Sequence, residues 1–404
     1  SICGTGTVAL GATASAGTIN WYAASSGGSS LGTGTSFTTP SIAATTTYYV
    51  DATNDGCTTA SRTAVKATVN NVPTLNVSSS SVCVGSTTTA TTSTWSPSEL
   101  GSSLTLWLDA ADASSITQSG GLVSQWNDKS GNGNHAIQAT VSQQPTYNPT
   151  GFNGMPSIQI VRTGASGDVL VPLTNPILDT DDFTIVSALQ STRIARGADG
   201  FGNGWSISHS GTALSVVLTT GGQARYDVIA GSSGSIQVSM LDQLSSTSEL
   251  YYSNNGGSLN LTTAPKTILR SSTRGLEIGA SNGISIGGHV SEVIIANSVL
   301  NTSDRQKLEG YLAHKWGTTA SLPSDHPYKT IPPTTSGTWS SSNSAVATID
   351  NNGVITGVSG GTATFTFTTS AGCSSTTSAV TVSPTSVGGT ASAATATICS
   401  GSST

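Results

Sequence analysis

Apolar and polar residues alternate in short runs along most of this chain. In residues 45–51 (T-T-T-Y-Y-V-D) and 362–368 (T-A-T-F-T-F-T), β-branched or aromatic residues recur with a period of two, which predicts strands. A tight hairpin turn is predicted at 54–56 (N-D-G). The pattern therefore predicts an all-β chain. In its N-terminal part the predicted strands are residues 7–10, 18–22, 36–38, 46–52 and 63–69.

One stretch, residues 300–328, has a helical pattern instead. Its apolar stripe has a spacing of four residues and consists of Leu308, Leu312 and Trp316. Ser303 and Gln306 have the spacing of a capping box, and Gly317 supplies a helix stop. Such a helix needs a sheet to cover, and the strand-like run 290–296 just before it is a candidate.

The five cysteines suggest a repeated plan. Cys3, Cys83 and Cys399 each follow a short β-like opening and precede small polar residues, whereas Cys57 and Cys373 resemble matching ends. We therefore predict the disulfides Cys3–Cys57 and Cys83–Cys373. Their separations become similar once residues 95–336 are left out, which predicts that this segment is inserted into a second repeat. Cys399 would then open a further repeat, so the chain is expected to be a piece of an array.

Charge and composition exclude several classes of protein. Only 8% of the residues are charged, which is unlike a disordered chain, and the net charge of −6 without a Lys/Arg stripe argues against nucleic acid binding. The sequence has no run of 18 apolar residues, so no membrane-spanning segment is predicted. The chain starts at Ser1 without a signal peptide, as expected of a mature protein or an excised fragment.

Two long motifs carry a family resemblance. Residues 104–136 (L-T-L-W-L-D-A-A-D-A, then W-N-D-K-S-G-N-G-N-H-A) and 292–328 (E-V-I-I-A, then H-K-W-G, L-P and H-P-Y) resemble the two ends of a concanavalin-A-like, LamG-type jelly roll. Residues 1–70, with Trp21 between the cysteines, resemble CHU-associated Ig-like repeats, and 337–373 (W-x-S-x-N onward) resembles intimin-type bacterial Ig-like repeats. The resemblance implies tandem Ig-like sandwiches with a jelly roll inserted into the second.

These resemblances imply a domain plan and a location. The expected domains are an Ig-like domain at 1–72, a split bacterial Ig-like domain at 73–94 plus 337–384, an inserted jelly roll at 95–336, and a linker with the start of another repeat at 385–404. The whole is similar to the giant gliding-motility adhesins of Bacteroidota, exported by the type IX system. That similarity implies an extracellular, outer-membrane-associated protein that binds glycans or surfaces. Neighbouring repeats and surface-anchoring proteins are the other expected partners.

One loop has the composition of a calcium site. Asp128, Ser130, Asn132 and Asn134 place oxygen-bearing side chains at alternate positions, which resembles the first half of a calcium loop. The Glu expected at the twelfth position is replaced by Ala139. A tight turn held by Asp and Asn side chains is the alternative interpretation. Calcium is thus a candidate cofactor, with these four residues as its candidate ligands.

Sugar binding combines aromatic faces with Asn, Asp or Arg side chains that bond hydroxyls. The long, Gly-rich loop 193–205 is the main candidate for such a site. The candidate glycan-binding residues are Arg193, Arg196, Asp199, Asn203, Trp205, Arg225, Tyr226 and Tyr252. Trp107 and Trp126 lie in strand patterns and are expected in the core.

The sequence gives little support for catalysis. The G-x-S-x-G motif around Ser285 precedes another β-rich run where a hydrolase elbow requires a helix. No E-x-D-x-E strand of the laminarinase type is present. We therefore predict that the chain is not an enzyme. Two alternatives to an adhesin stay open: a purely structural stalk segment, and an accessory region of an exported polysaccharide-degrading enzyme.

Overall fold

The fold is all-β, as the alternation predicted, with one α-helix among the described residues. The structure is a computed structural model. It describes residues 1–43, 45–152, 154–161, 168–172, 182–190, 192–196, 204–210, 213–219, 223–230, 237–244, 249–255, 257, 260–261, 276–279, 287–385 and 388–389.

The strands follow one another closely along the chain. The first stretch contains β1 (Ile2–Cys3), β2 (Ala9–Gly11), β3 (Thr18–Tyr22), β4 (Gly32–Thr33), β5 (Ser36–Thr38), β6 (Thr46–Asn54), β7 (Cys57–Thr58), β8 (Thr63–Ala67) and β9 (Val69–Asn70). The next contains β10 (Leu75–Val77), β11 (Ser81–Cys83) and β12 (Thr87–Thr92).

The central stretch is the longest. Its first strands are β13 (Leu104–Asp109), β14 (Ile116–Ser119), β15 (Leu122–Trp126), β16 (Ala136–Ile137), β17 (Thr146–Phe152), β18 (Met155–Ile160), β19 (Val169–Pro172), β20 (Phe183–Gln190) and β21 (Arg193–Arg196). Its later elements are β22 (Gly204–Ser210), β23 (Ala213–Thr219), β24 (Gln223–Ala230), β25 (Gln237–Leu244), β26 (Glu249–Asn254), β27 (Asn260–Leu261), β28 (Leu276–Gly279), β29 (Gly288–Ala296) and helix α1 (Thr302–Lys315).

Seven more strands lie in the described residues 337–385. They are β30 (Gly337–Ser341), β31 (Ala347–Ile349), β32 (Val354–Gly357), β33 (Gly361–Ala363), β34 (Phe365–Thr369), β35 (Ser374–Thr376) and β36 (Val380–Ser383). The chain divides into two compact units. One comprises Ser1–Asn71 with Thr94–Thr335, and the other comprises Val72–Ser93 with Ser336–Thr404.

The N-terminal sandwich packs around Trp21, which is completely buried. One sheet has the order β4-β3-β6-β7 with β8 beside β6, β2 pairs with β5, and β1 pairs with β9 in parallel. The Trp21 indole stacks on Phe37 and donates from Nε1 to the Gly34 carbonyl at 2.8 Å. The predicted hairpin turn is confirmed, because Asp55 and Gly56 both have positive φ between β6 and β7.

The central stretch curls into a closed arrangement of paired strands. One group of neighbours is β13-β29-β20-β25-β26, and another is β19-β28-β21-β22-β23-β24. Buried aliphatic residues from both groups, with Trp126, form one core. Trp107 is also buried, so both tryptophans lie in the core as predicted. The ends of the stretch meet where Thr94 bridges Thr334.

Helix α1 covers a second apolar cluster on β13, β20 and β29, which confirms the predicted strand–helix pair. Leu308, Leu312 and Trp316 all lie in that cluster. The capping prediction was wrong by two residues. Asn301 is the N-cap and accepts from the Asp304 amide at 3.0 Å, because Asn at this position satisfies a donor that the first turn leaves unpaired.

The last unit is built from both sides of the central stretch. β12 pairs with β32, and β11 pairs in parallel with β36, so strands before residue 94 complete sheets with strands after residue 336. Phe365 and Ile355 are fully buried in its core with Val82 and Val380. The residue boundaries of the domains stay predictions.

The disulfide predictions were wrong. Cys57 and Cys83 carry free, exposed thiols, so neither Cys3–Cys57 nor Cys83–Cys373 is formed. Cys3 and Cys373 are each disulfide-bonded. Cys399 lies outside the described residues.

Strand register explains why Cys3 and Cys57 cannot pair. Cys3 lies beside Asn70, beyond the Thr46 end of β6, whereas Cys57 lies beside Asn54 at the other end of β6. Strand β6 separates those ends by eight residue-to-residue steps, or roughly 26 Å. A disulfide requires Cα atoms within about 7 Å of each other.

The same argument applies to Cys83 and Cys373. Cys83 pairs with Ser383 of β36, whose neighbour Val382 pairs with Gly361 at the start of β33. Cys373 lies in the turn that follows the end of β34. β33 and β34 run consecutively between these points and separate them by roughly 20–26 Å. Similar spacing in sequence therefore did not place the thiols together.

Candidate functional site

The strand register places five of the predicted glycan-binding residues on strands of one sheet, and the two ends of the predicted loop 193–205 lie in strands. Arg196 on β21 pairs directly with Trp205 on β22. Arg225 and Tyr226 lie on β24, two strands further along. Arg193 is at the opposite end of β21 from Arg196.

The other predicted residues are not placed beside them. Tyr252 lies on β26, which pairs with β25 and β27 and not with β21, β22 or β24. Asp199 and Asn203 lie outside the described residues, as does Ser285 of the G-x-S-x-G motif. The sheet that contains β21, β22 and β24 is therefore the candidate ligand surface.

The predicted calcium loop is a hydrogen-bonded turn around a buried carboxylate. Asp128 Oδ1 accepts from the amides of Trp107 at 3.0 Å and Ser130 at 2.8 Å. Its Oδ2 accepts from Ser130 Oγ at 2.8 Å and from the Asn134 amide at 3.0 Å. The side-chain NH₂ groups of Asn132 and Asn134 donate to the Thr105 carbonyl.

This arrangement does not offer calcium a ready set of ligands. Each carboxylate oxygen of Asp128 already accepts two hydrogen bonds. A carboxylate has about four lone-pair sites, so all of them are occupied. Among the residues that the structure describes, no group of three or more His, Cys, Asp or Glu side chains could hold a metal ion. The geometry fits the alternative interpretation, a turn held by Asp and Asn side chains, and calcium binding stays a prediction.

A buried charge network joins the two signature motifs. Glu292 on β29 is completely buried. Its Oε1 accepts from Trp107 Nε1 at 2.7 Å and from the Tyr311 hydroxyl at 3.0 Å. Its Oε2 accepts from Trp316 Nε1 at 2.7 Å and lies 2.9 Å from Lys315 Nζ. Strand β13, strand β29 and helix α1 are thus held by one carboxylate.

The network continues towards the calcium-like loop. Lys315 Nζ also lies 2.7 Å from Asp109 Oδ1, and Lys129 Nζ contacts Asp109 Oδ2 at 2.9 Å. Lys129 then reaches Asp112 at 3.0 Å, near the surface. Because lysines alternate with carboxylates, each buried charge has a partner of opposite sign.

Burial and neighbouring charges shift the pKa values in this network. Burial raises the pKa of Glu292, and Lys315 opposes that rise. Burial also raises the pKa of Tyr311 well above its usual value, and the nearby Glu292 adds to the rise. Burial alone would lower the pKa of Lys129, but Asp109 and Asp112 together raise it. The lysines and carboxylates of the network therefore stabilise one another's charged forms against the effect of burial.

Sequence reasoning missed this network. A signal was available, because only 8% of the chain is charged, yet Asp109 and Glu292 each interrupt an apolar strand. A carboxylate in such a strand must be paired when the strand is buried. The pattern could predict that partners exist but not which lysine or tryptophan supplies them.

A half-buried histidine gives a testable pH dependence. His289 Nδ1 on β29 lies 3.0 Å from Ser157 Oγ, and burial lowers the pKa of His289. The unfolded chain would protonate this imidazole below about pH 6.5, whereas the folded chain resists protonation. We expect its contribution to stability to be present above about pH 6.5 and to be lost as the pH falls towards the lowered pKa.

The measurement is urea unfolding at several pH values from about 7 to about 5. His289→Gln should lose less unfolding free energy over this range than the unmodified chain does. His314→Gln, on α1, is the matched control for loss of a histidine. If the unfolding free energy falls by the same amount with pH in the unmodified chain and in His289→Gln, His289 is not the source of the pH dependence.

Two family models match the ends of the chain. The Ig-like domain described as CHU_C associated matches residues 1–70, and the bacterial Ig-like domain (group 2) matches residues 329–382. A search of the curated proteins finds no match. No helix among the described residues has the length and apolar character needed to cross a membrane.

Solved structures give weaker likenesses. The CBM40 module of Ruminococcus gnavus IT-sialidase, bound to alpha2,6 sialyllactose, is 17% identical over 31% of this chain and 81% of that chain, with a TM-score of 0.26. Trypanosoma rangeli sialidase is 14% identical over 53% of this chain and 33% of that one, with a TM-score of 0.32. A structure described as a receptor binding domain is 15% identical over 67% of this chain and 72% of that one, with a TM-score of 0.40.

These scores identify neither the ligand nor the activity of this chain. The family models do identify Ig-like domains, which are typical of extracellular proteins. The chain therefore contains Ig-like domains on both sides of its central β-domain.

Proposed function

We propose that this chain is a non-catalytic segment of a repetitive cell-surface adhesin that binds glycans through its central β-domain. The observation that carries the proposal is a β-domain located between Ig-like segments, with Arg196, Trp205, Arg225 and Tyr226 on nearby strands of one sheet. Aromatic and arginine side chains are suited to sugar faces and hydroxyls respectively.

The finer assignment rests on the sequence motifs. We propose that the central domain is of the LamG type, and that the parent protein is a Bacteroidota surface adhesin of the gliding-motility kind, exported by the type IX system. Neighbouring repeats and surface-anchoring proteins are its proposed partners. The signature motifs of residues 104–136 and 292–328 are the support for this assignment.

The test is glycan-array binding of the full chain, with calcium and with chelator. We expect Trp205→Ala and Arg196→Ala, which change two directly paired residues, to weaken binding about 10- to 30-fold, as removal of a central contact residue does. Tyr252→Ala is the matched control, because Tyr252 lies on β26, away from these strands. It should leave binding unchanged.

Three other outcomes would redirect the proposal. Absence of glycan binding in both conditions would favour the purely structural stalk segment. Hydrolysis of a bound glycan would contradict a non-catalytic role. Loss of binding only in Tyr252→Ala would move the site to the sheet that contains β26.

A further inference from the structure

One face of the N-terminal sandwich lies against the calcium-like loop of the central domain. Along β6, Tyr48 and Val50 point into the sandwich core and are buried. Because side chains alternate along a strand, Thr47 and Tyr49 lie on the opposite, outer face. Lys66 on β8 pairs with Thr47, which places its side chain beside that of Thr47 on this face.

The outer face makes specific contacts with the loop. Lys66 Nζ donates to Asn132 Oδ1 at 3.2 Å, and the Thr47 hydroxyl donates to the Gly131 carbonyl. Gly131 has φ +81°, and a Cβ added there would come within 2.3 Å of Thr45 Cγ2. The loop therefore meets the sandwich at a position where no side chain fits.

The loop thus has a cation beside it. The Lys66 ammonium binds the side-chain oxygen of Asn132, and Asp128 attracts it electrostatically. A lysine ammonium is a compact point charge with three donors, which suits the side-chain oxygen that Asn132 presents to it.

We propose that this loop is the docking site of the N-terminal Ig-like domain, with the Lys66 ammonium in the role that a calcium ion has in similar loops. Docking holds the central domain in one orientation relative to the N-terminal sandwich. This proposal does not depend on glycan binding.

The test is a double-mutant cycle in the full chain. Lys66→Met and Asn132→Ala are measured singly and together by equilibrium unfolding. Residues that interact in solution give non-additive effects, and we expect a coupling of about 5- to 30-fold in the unfolding equilibrium constant. The pair Lys307→Met with Asn132→Ala is the matched control and should be additive, because Lys307 lies on α1 and is paired with Asp304.

Small-angle X-ray scattering provides a second readout. Lys66→Met should increase the radius of gyration, whereas Lys307→Met should leave it unchanged. Thr47→Val removes only the hydroxyl donor and should act in the same direction as Lys66→Met.

Additive effects of Lys66→Met and Asn132→Ala, together with unchanged scattering, would overturn the docking. Calcium that stabilises the unmodified chain and contacts this loop would overturn the role of Lys66.

Discussion

Glu292→Gln is expected to destabilise the central domain by about 3–5 kcal/mol, the usual cost of breaking a buried ion pair by changing one partner. The carboxylate faces only donors: two indole N–H groups, one hydroxyl and one ammonium. An amide has one acceptor oxygen and one NH₂ group. In Glu292→Gln the NH₂ group would therefore face the donors of Trp316 and Lys315, or those of Trp107 and Tyr311, and two donors would lose their acceptor.

The measurement is urea and thermal unfolding followed by tryptophan fluorescence, because Trp107 and Trp316 both contact Glu292. For a domain of this size the melting temperature should fall by roughly 6–20 °C. Asp325→Asn is the control, since Asp325 is exposed. It should change the unfolding free energy by less than about 0.5 kcal/mol.

A second variant separates the charge pair from the neutral hydrogen bonds. Lys315→Met leaves Glu292 with three neutral donors, and the double variant with Glu292→Gln removes both charges. If the ion pair matters, the double variant should be less destabilised than the sum of the single variants, by about 0.5–3 kcal/mol. A loss below about 1 kcal/mol in Glu292→Gln would contradict the stabilising role of the network.

Local residue pattern was sufficient to predict five strand regions of the N-terminal sandwich and the strand that α1 covers, whereas the two-residue strands β1, β4 and β7 were not predicted. The predicted elements depend on local residue pattern, as the match between predicted 18–22 and β3 illustrates. The helix was also predictable from spacing, because Leu308, Leu312 and Trp316 recur at helical intervals. The N-cap was not, since Asn301 and Ser303 are both good caps and packing decides between them.

Pairings between distant residues could not be predicted in the same way. The cysteines were matched by sequence separation, but strand register determines which ends of a sandwich meet. Glu292 similarly depends on tryptophans that come from β13 and from the residue after α1. A sequence pattern shows that such a group needs partners, and only the fold supplies them.

That the candidate ligand residues bind a glycan stays a prediction, and the strand register shows only where they lie in the fold. Arg196 and Trp205 were both selected from the segment 193–205, and the register pairs them directly across β21 and β22. Tyr252 was selected by residue type, and the fold places it on a different group of strands. For the calcium-like loop, composition allowed two interpretations, and the hydrogen bonds of Asp128 favour the turn.

Asp128→Ala should destabilise the central domain by about 3–5 kcal/mol. Three buried or partly buried backbone amides, those of Trp107, Ser130 and Asn134, would lose their acceptor. Each unsatisfied buried donor costs about 1–3 kcal/mol, and some would be hydrated by water entering the space. Asp128→Asn should recover about half of the loss, because it retains one acceptor oxygen.

Urea unfolding in calcium and in chelator distinguishes the two interpretations of this loop. If Asp128 holds a turn, its loss has the same effect in both solutions, since the amides lose their acceptor either way. If Asp128 is a calcium ligand, the unmodified chain gains stability from calcium by mass action, and Asp128→Ala abolishes that gain.

Asp350→Ala is the matched control, because Asp350 accepts from the amides of Asn352 and Val354 in an exposed turn. Water can replace Asp350 there, so its removal should cost no more than about 1 kcal/mol. A comparable loss in Asp350→Ala would show that the turn geometry, and not the burial of Asp128, determines the effect.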